Sequence, residues 1–308
     1  MNTDLILALV PVAILIALGY GLRHHTSLLP EAFWPPAERL SYFILLPSLF
    51  LHGLATADLG DIPVALLALC LIVPILVVSL GLVVLRRVLS IEGPEFTSVF
   101  QGGIRFNNYV GVMAAIGLFG PPGAALAAMA NAALVPTVNI LSVLIFSRHT
   151  AVTPDLLSTL RSILKNPLIL ACAFGVLLRV TGIGLPPGLD GTLKALGQAA
   201  LPLGLLCVGA ALTGDALRRS PRLTLIASLA KFLAMPAVTI AACLLFGLRG
   251  PAAYVAVLFH ALPTASSSYV LARQLGGDAP LMASIIAVQT IIGMITLPLT
   301  FLIVEVLF

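Results

Sequence analysis

The residues best suited to chemistry lie in one apolar stretch in the first half of the chain. Residues 97–119 are long and apolar enough to cross a bilayer, yet their centre carries Arg105, Asn107 and Asn108. An arginine about eight residues into a span lies ~12 Å deep, where insertion scales give it a cost of ~2.5–3.5 kcal/mol. Adjacent asparagine amides offer the backbone alternatives to helical hydrogen bonds. The stretch therefore predicts an interrupted membrane helix whose polar centre faces a substrate cavity.

A second polar interruption is predicted within residues 252–275. Pro263 removes a backbone donor there, and a helix that breaks at this point starts again with free N–H groups and a positive dipole end. Such an end suits a carboxylate, whereas freed carbonyls suit a cation. The alternative is a proline kink repaired by hydroxyl groups. Four hydroxyl side chains follow the proline, at Thr264, Ser266, Ser267 and Ser268.

Arg105 indicates what the site would bind. The twelve Asp and Glu residues lie in predicted loops or at span ends, so the sequence offers this arginine no counter-charge at its own depth. An intramembrane cation without a protein counter-charge favours an anionic ligand. The alternative is a structural arginine, tied to backbone carbonyls or paired with an acid.

Polar residues in the spans that follow the two interruptions extend the predicted site. Asn131 and Gln289 each lie in the middle of such a span, and we assign both to substrate binding. Ordinary interhelical hydrogen bonding, worth roughly 0.6 kcal/mol on average, is the alternative for both. Asn139 and Gln198 are interpreted as packing residues.

Three titratable residues within predicted spans stay unassigned. Lys231 is either a second positive group or a side chain that snorkels to the membrane surface. His52 and His260 are isolated in the sequence, which is more typical of satisfied polar residues than of a proton relay.

The composition requires membrane helices to position these residues. Hydrophobic residues make up 60% of the chain and charged residues 9%, whereas a soluble domain carries about 25% charged residues. At about 20–25 residues per span, 308 residues accommodate ten spans with short loops. We therefore predict an all-α polytopic membrane protein. The ten predicted spans are residues 5–22, 40–54, 62–85, 97–119, 122–146, 167–183, 193–212, 223–248, 252–275 and 281–308.

The basic residues predict the orientation of these spans. With the N-terminus outside, eleven Lys and Arg residues fall in cytoplasmic loops and three fall on the outer side, so the positive-inside rule places both termini outside. The cytoplasmic set is Arg23, Arg39, Arg86, Arg87, Arg148, Arg161, Lys165, Arg218, Arg219, Arg222 and Arg273.

The ten spans divide into two halves of five, residues 1–150 and 151–308. An odd number of spans gives the halves opposite orientation. Spans two and seven both carry a Leu-Pro pair near the middle, and residues 107–110 of span four match residues 267–270 of span nine. Inverted repeats with interrupted helices in matching positions point to a transporter site near the membrane midplane.

The chain lacks the sequence motifs of several other classes of protein. The chain has no Asp-rich metal motif, no nucleophile elbow, no zinc-binding helix and no P-loop, so we expect neither an enzyme nor a bound metal or cofactor. Basic patches with interleaved aromatics are missing, so nucleic acid is not an expected partner. The four cysteines, Cys70, Cys172, Cys207 and Cys243, have no paired spacing and are expected to pack in apolar surroundings.

Four pieces of sequence carry a family resemblance. They are Arg105-Phe106-Asn107-Asn108-Tyr109-Val110-Gly111, Asn166-Pro167-Leu168-Ile169, Leu201-Pro202-Leu203-Gly204-Leu205, and the run from Ala261 to Ala272. In this order and spacing they resemble the auxin efflux carrier family of membrane transporters, which includes plant PIN-type carriers and bacterial relatives. PIN-type carriers have a proline just before the span-four asparagine, where this chain has Phe106, so a small carboxylate is expected rather than auxin.

The resemblance implies a ten-helix, five-plus-five inverted repeat similar to bile-acid symporters and sodium/proton antiporters. Spans one, two, six and seven would form a scaffold domain. Spans three to five and eight to ten would form a transport domain, in which spans four and nine cross as broken helices. The resemblance also implies an organic-anion substrate and a homodimer. The span-four asparagine of the family corresponds to Asn107 or Asn108, and the span-nine proline to Pro263.

Together, these observations predict an elevator-type secondary transporter for a small mono- or dicarboxylate in the cytoplasmic membrane, with the lipid bilayer around it. The coupling ion, Na⁺ or H⁺, stays open. The main alternative is a membrane-embedded sensor or accessory subunit that binds an organic anion without moving it. The predicted substrate-binding residues are Arg105, Asn107, Asn108, Asn131, Pro263, Thr264, Ser266, Ser267, Ser268 and Gln289.

Overall fold

The fold is known from a computed structural model, which describes residues 2–56, 63–150, 161, 164–212 and 220–307. Helices make up 86% of these residues, and the described part contains no strand. The predicted all-α class is therefore confirmed. In chain order the α-helices are α1 (Asn2–His24), α2 (Trp34–Leu40), α3 (Leu46–Thr56), α4 (Val64–Leu89), α5 (Gly93–Ile104), α6 (Asn108–Phe119), α7 (Pro121–His149), α8 (Pro167–Thr181), α9 (Leu189–Ala210), α10 (Pro221–Leu229), α11 (Met235–Phe246), α12 (Gly250–Ala261), α13 (Ser267–Gln274) and α14 (Ala279–Leu307).

Two pairs of helices run on through a short π-helical turn. The turn Ser41–Leu45 joins α2 to α3, and the turn Ala230–Ala234 joins α10 to α11. Such π-turns interrupt the regular hydrogen-bond ladder and frequently occur at functional sites.

Within the described ranges, five continuous helices are long and apolar enough to cross a membrane. They are α4, α7, α9, the run Pro221–Phe246 formed by α10 and α11, and α14. Shorter apolar helices occur within α1 and at α8 and α12. These helices support the prediction of a multi-pass membrane protein. Of the residues used to predict the orientation, Arg218 and Arg219 lie outside the described residues, as do the first residue of predicted span three and the last of span ten.

The chain divides into two compact units. Unit 1 consists of Met1–Pro63, Asn108–Ala132 and Leu164–Ala211, and unit 2 consists of Val64–Asn107, Ala133–Ile163 and Leu212–Phe308. The chain passes from unit 2 to unit 1 between Asn107 and Asn108, within the predicted fourth span.

Unit 1 is held together by close helix crossings at small residues. A Cβ atom at Gly19 of α1 would overlap the backbone carbonyl of Leu206 on α9, and one at Gly209 of α9 would overlap the backbone carbonyl of Ile16 on α1. Glycine is therefore the residue that lets the two backbones approach, as small residues commonly do between membrane helices. The crossing depends on van der Waals contact, because lipid is as apolar as the helix surfaces.

Unit 2 is built around α5, whose last turns are fully buried. Phe96 and Phe100 are buried on this helix, and its contacts run to α4, α10 and α14. Gly102 lies where a Cβ would come within 2.6 Å of Ile285 Cγ2 on α14 and 3.0 Å of Ala227 Cβ on α10. The small residue lets α5 sit close to both helices, which fixes the position of its C-terminal end.

The four cysteines are buried and form no disulfide. Their predicted role as apolar packing residues is therefore confirmed. Cys172 on α8 directs its thiol at the Ala128 carbonyl of α7, 3.5 Å away, within unit 1.

Candidate functional site

The candidate site in unit 2 is organised by two interruptions of helical structure. The first lies at residues 105–107, between the end of α5 and the start of α6, and the second lies at residues 262–266, between α12 and α13. Arg105 and Leu262, the first residue of each interruption, have extended backbone angles. At Leu262 the cause is local, because the ring of Pro263 disfavours the α conformation of the residue before it.

The two interruptions are joined by a backbone hydrogen bond. The Asn107 N–H donates to the Pro263 carbonyl over 2.8 Å. Both groups lack helical partners, and a buried backbone group left unpaired costs about 1–3 kcal/mol. Each interruption therefore supplies a hydrogen-bond partner to a backbone group of the other interruption.

Gln289 on α14 clamps both interruptions. Its Nε2 donates to the Gly102 carbonyl in the last turn of α5 over 3.0 Å, and its Oε1 accepts from the Thr264 N–H over 3.1 Å. The side chain is fully buried. Both ends of the amide thus bind backbone groups that the breaks leave without helical partners.

Thr264 makes a further link between the same segments. Its hydroxyl donates to the Gln101 carbonyl of α5 over 3.4 Å and lies 3.4 Å from the hydroxyl of Ser268 on α13. Thr264 and Ser268 are fully buried. These hydroxyls hold the second interruption against the first from inside the unit.

Arg105 projects from the first interruption toward two other elements. Its Nη1 donates to Asn139 Oδ1 on α7 over 2.9 Å, and its Nη2 donates to Ser267 Oγ on α13 over 3.2 Å. Both of these acceptors are neutral, and the two bonds orient the guanidinium. Arg105 is half-buried and Ser267 is exposed, so this side of the site is accessible.

The start of α13 adds to the positive character around Arg105. Ser267 is the first residue of this eight-residue helix, and its hydroxyl is the one that accepts from Arg105. A helix N-terminus carries a partial positive charge. The N–H groups of Ser268 and Tyr269 donate to the carbonyls of Ala265 and Ser266, so the helix start contributes through its dipole. The guanidinium and the helix start together form a place suited to a carboxylate or another small anion.

Seven of the ten predicted site residues belong to one hydrogen-bonded cluster in unit 2. They are Arg105, Asn107, Pro263, Thr264, Ser267, Ser268 and Gln289. Ser266 is partly buried in the second interruption. Asn108 and Asn131 belong to unit 1, where the buried Asn131 donates to the Ala127 carbonyl of its own helix over 2.9 Å.

Asn139 and Gln101 are parts of the cluster that sequence reasoning does not assign to it. The sequence favours a packing role for Asn139, whereas the structure shows that it orients the Arg105 guanidinium. Its signal in the sequence is the same as that of Asn131, a polar amide within an apolar helix. Gln101 contributes its backbone carbonyl, for which the sequence has no signal.

Other polar residues of interest lie elsewhere in the two units. His52 Nε2 lies 3.1 Å from Asp190 Oδ1 in unit 1. A cavity of about 380 Å³ in the same unit is lined by His52 and by residues of α3, α6 and α7, none of them predicted site residues. Lys231 and His260 are fully buried in unit 2. Nowhere in the described part do three or more His, Cys, Asp or Glu side chains come together as metal ligands would.

These features define an all-helical membrane protein with a polar, hydrogen-bonded cluster inside one of its units. Residues 152–301 match the family described as membrane transport protein, which is the auxin efflux carrier family. Members are membrane transporters and not typically enzymes. The matched residues include α12, α13 and Gln289. A search of curated proteins finds no match.

Proposed function

We propose that the protein is a secondary transporter that moves a small mono- or dicarboxylate across the cytoplasmic membrane. The match of residues 152–301 to a family of membrane transport proteins supports the general class. The observation that carries the choice of substrate is the half-buried Arg105 guanidinium, oriented by neutral acceptors beside the first turn of α13. A carboxylate is the group that such a planar donor and a helix N-terminus bind best.

In this proposal the residues of the cluster have two kinds of role. Arg105 and Ser267, the partly buried and exposed members of the cluster, bind the carboxylate together with the neighbouring, partly buried Ser266. Asn107, Pro263, Thr264, Ser268 and Gln289 hold the two interruptions together. Asn108 and Asn131, which belong to unit 1, stay predictions as substrate-binding residues.

We further propose a ten-span architecture of two inverted repeats, with spans four and nine as broken helices at the midplane. The support is that the two interruptions fall in corresponding segments, the fourth and the ninth of the predicted spans. A scaffold domain, a transport domain with an elevator motion, and a homodimer follow from the family resemblance. Interrupted helices in matching repeats are where transporters of this kind bind their substrates.

Uptake into proteoliposomes tests this function. Purified protein is reconstituted and supplied with radiolabelled lactate or succinate, and wild type is compared with Arg105→Ala and Arg273→Ala. Arg273 is the matched control, because it is an exposed arginine near the other end of α13. We expect saturable uptake of at least one carboxylate, at least tenfold lower in Arg105→Ala and unchanged in Arg273→Ala.

Two results would contradict the proposal. Equal uptake by wild type and Arg105→Ala would remove the guanidinium from the site. Binding of carboxylate without any uptake, in protein that is correctly folded, would favour a sensor or accessory subunit instead.

A further inference from the structure

Lys231 is a buried amine without a role in the cluster described above. It lies in the π-turn between α10 and α11 and is 0% exposed. Among the described residues, none forms a hydrogen bond with its Nζ. The side chain therefore does not snorkel to the surface. Buried lysines are rare unless they are paired, and those within membrane spans usually mark ion or proton pathways.

His260 is, like this lysine, a buried titratable side chain of unit 2. It is 1% exposed on α12, its Nδ1 lies 2.8 Å from Thr239 Oγ1 on α11, and it interacts electrostatically with Lys231. Thr239 Oγ1 in turn donates to the Met235 carbonyl over 2.7 Å. His260 and Thr239 thus form a buried hydrogen-bonded pair, and Lys231 is a third buried polar side chain of the same unit.

None of the other ionisable groups described on the elements around the π-turn supplies a counter-charge to Lys231. The turn packs against α4, α5, α12 and the flanking α10 and α11. Cys70 of α4 and Cys243 of α11 interact with each other. Tyr254 of α12 stacks on Phe301. The charged residues on these elements, Arg86, Arg87, Glu95 and Arg222, lie in their first or last turns.

We propose that Lys231 is a proton-binding site that couples carboxylate binding to the uptake of one proton, an inference that rests on the proposed function. The enclosure of Nζ leaves no room for a carboxylate, so the ligand that fits is a proton. One proton bonds to the Nζ lone pair, and the charge of the side chain rises from zero to plus one. An uncompensated buried ammonium costs several kcal/mol, so the charged form is stabilised when an anion enters the same unit.

Lys231 and His260 are connected through the helices that carry them to both interruptions of the candidate site. Ala227 and Ala230, which lie one helical turn and one residue before Lys231, pack against Gly102 and Gly103 in the last turn of α5. His260 is the penultimate residue of α12, two residues before the start of the second interruption. A change of charge at Lys231 therefore acts on the two segments that hold Arg105 and Ser267. By linkage, carboxylate binding must then favour protonation as strongly as protonation favours binding.

Calorimetry in buffers of different ionisation enthalpy tests this inference directly. The number of protons taken up per bound succinate or lactate is measured for wild type, Lys231→Met, Lys231→Gln and Lys194→Met. Lys194 is an exposed lysine on α9 and serves as the matched control. Replacing a buried charge with an apolar side chain of similar volume is often neutral or stabilising, so Lys231→Met is expected to fold.

For wild type and Lys194→Met we expect about one proton per bound carboxylate and an affinity that changes up to about tenfold per pH unit. Both Lys231 variants should bind carboxylate with close to zero protons and less than twofold change in affinity across the same range. Equal proton uptake by wild type and the Lys231 variants would overturn the inference while leaving the carboxylate site intact. If wild type binds no carboxylate, the proposed function fails, and this inference fails with it.

Discussion

At the scale of single residues, the proposed carboxylate site depends on how Arg105 is oriented. Asn139 and Ser267 accept from its two terminal nitrogens, and both are neutral. A carboxylate in either place would bind the guanidinium more strongly than an amide or hydroxyl does, because both partners would then be charged. Neutral acceptors orient the guanidinium without placing a negative charge at either of these two nitrogens.

Replacing Asn139 with aspartate tests this view of Arg105. The new carboxylate should pair with the guanidinium and compete with substrate, so Asn139→Asp should raise the half-saturating carboxylate concentration at least about tenfold, equivalent to ~1.4 kcal/mol. Uptake at varied lactate or succinate concentration measures this. Asn139→Ala removes the acceptor without adding charge and should give a smaller increase. Wild-type affinity in Asn139→Asp would show that Arg105 does not bind the substrate.

The sequence is sufficient to find most residues of the cluster, but not their contacts. Arg105, Pro263 and Gln289 stand out because each is unusual within an apolar span. Asn139 carries the same signal as Asn131, and only the fold distinguishes them: one amide reaches Arg105, whereas the other bonds to its own helix. Such a distinction depends on side-chain direction across tertiary contacts, which no local pattern encodes.

At the scale of elements, the two interruptions stabilise each other. Their positions are predictable, because prolines and asparagine pairs act on the neighbouring backbone. Their pairing is not, since Gln289 and Gly102 are 187 residues apart in the chain. Hydrogen bonds join α14 to both interruptions and the interruptions to each other. We therefore expect this region to be among the more stable parts of unit 2.

The clamp can be tested through Gln289→Leu. The substitution keeps the size of the side chain but leaves the Gly102 carbonyl and the Thr264 N–H without this partner. Because a buried unsatisfied group costs about 1–3 kcal/mol, the free energy of unfolding should fall by about 2 kcal/mol or more. Denaturation in mixed detergent micelles gives this value. Gln198→Leu, at an exposed position of α9, is the matched control and should change it little. Equal stability of the two variants would refute the clamp.

The crossing of α1 and α9 offers an independent test in unit 1. Gly19→Ala places a methyl group against the Leu206 backbone, which cannot move as a flexible side chain could. We expect a loss of about 1–3 kcal/mol in the free energy of unfolding. Gly21→Ala lies on the same helix with nothing within 4 Å and should be close to neutral or slightly stabilising. A neutral Gly19→Ala would mean that the helices do not cross this closely.

At the scale of the whole molecule, composition predicts the class and the family match agrees with it. A chain with 60% hydrophobic and 9% charged residues must place its helices in a membrane. Residue patterns alone do not predict the division into two units, because that division depends on which helices pack together. The distribution of Lys and Arg predicts a different property, the orientation of the chain in the membrane.

The orientation is testable with short epitope tags. We expect a tag at either terminus to be accessible to antibody from outside intact cells, because eleven basic residues then face the cytoplasm against three outside. A tag inserted after Arg161, in the predicted cytoplasmic connection, is the control and should be detected only after permeabilisation. Termini that are detected only after permeabilisation would reverse the predicted orientation.

The most direct test of the anion site is protection of a cysteine placed at its edge. The four native cysteines are buried, so Ser267→Cys should supply the main accessible thiol to a water-soluble maleimide. Gln274→Cys, at the exposed far end of the same helix, is the matched control. We predict that saturating lactate or succinate slows labelling of Ser267→Cys about tenfold or more, whereas the uncharged methyl ester of lactate does not, and that labelling of Gln274→Cys is unaffected. Equal labelling rates at residue 267 with and without carboxylate would contradict the central claim that Arg105 and the start of α13 bind an organic anion.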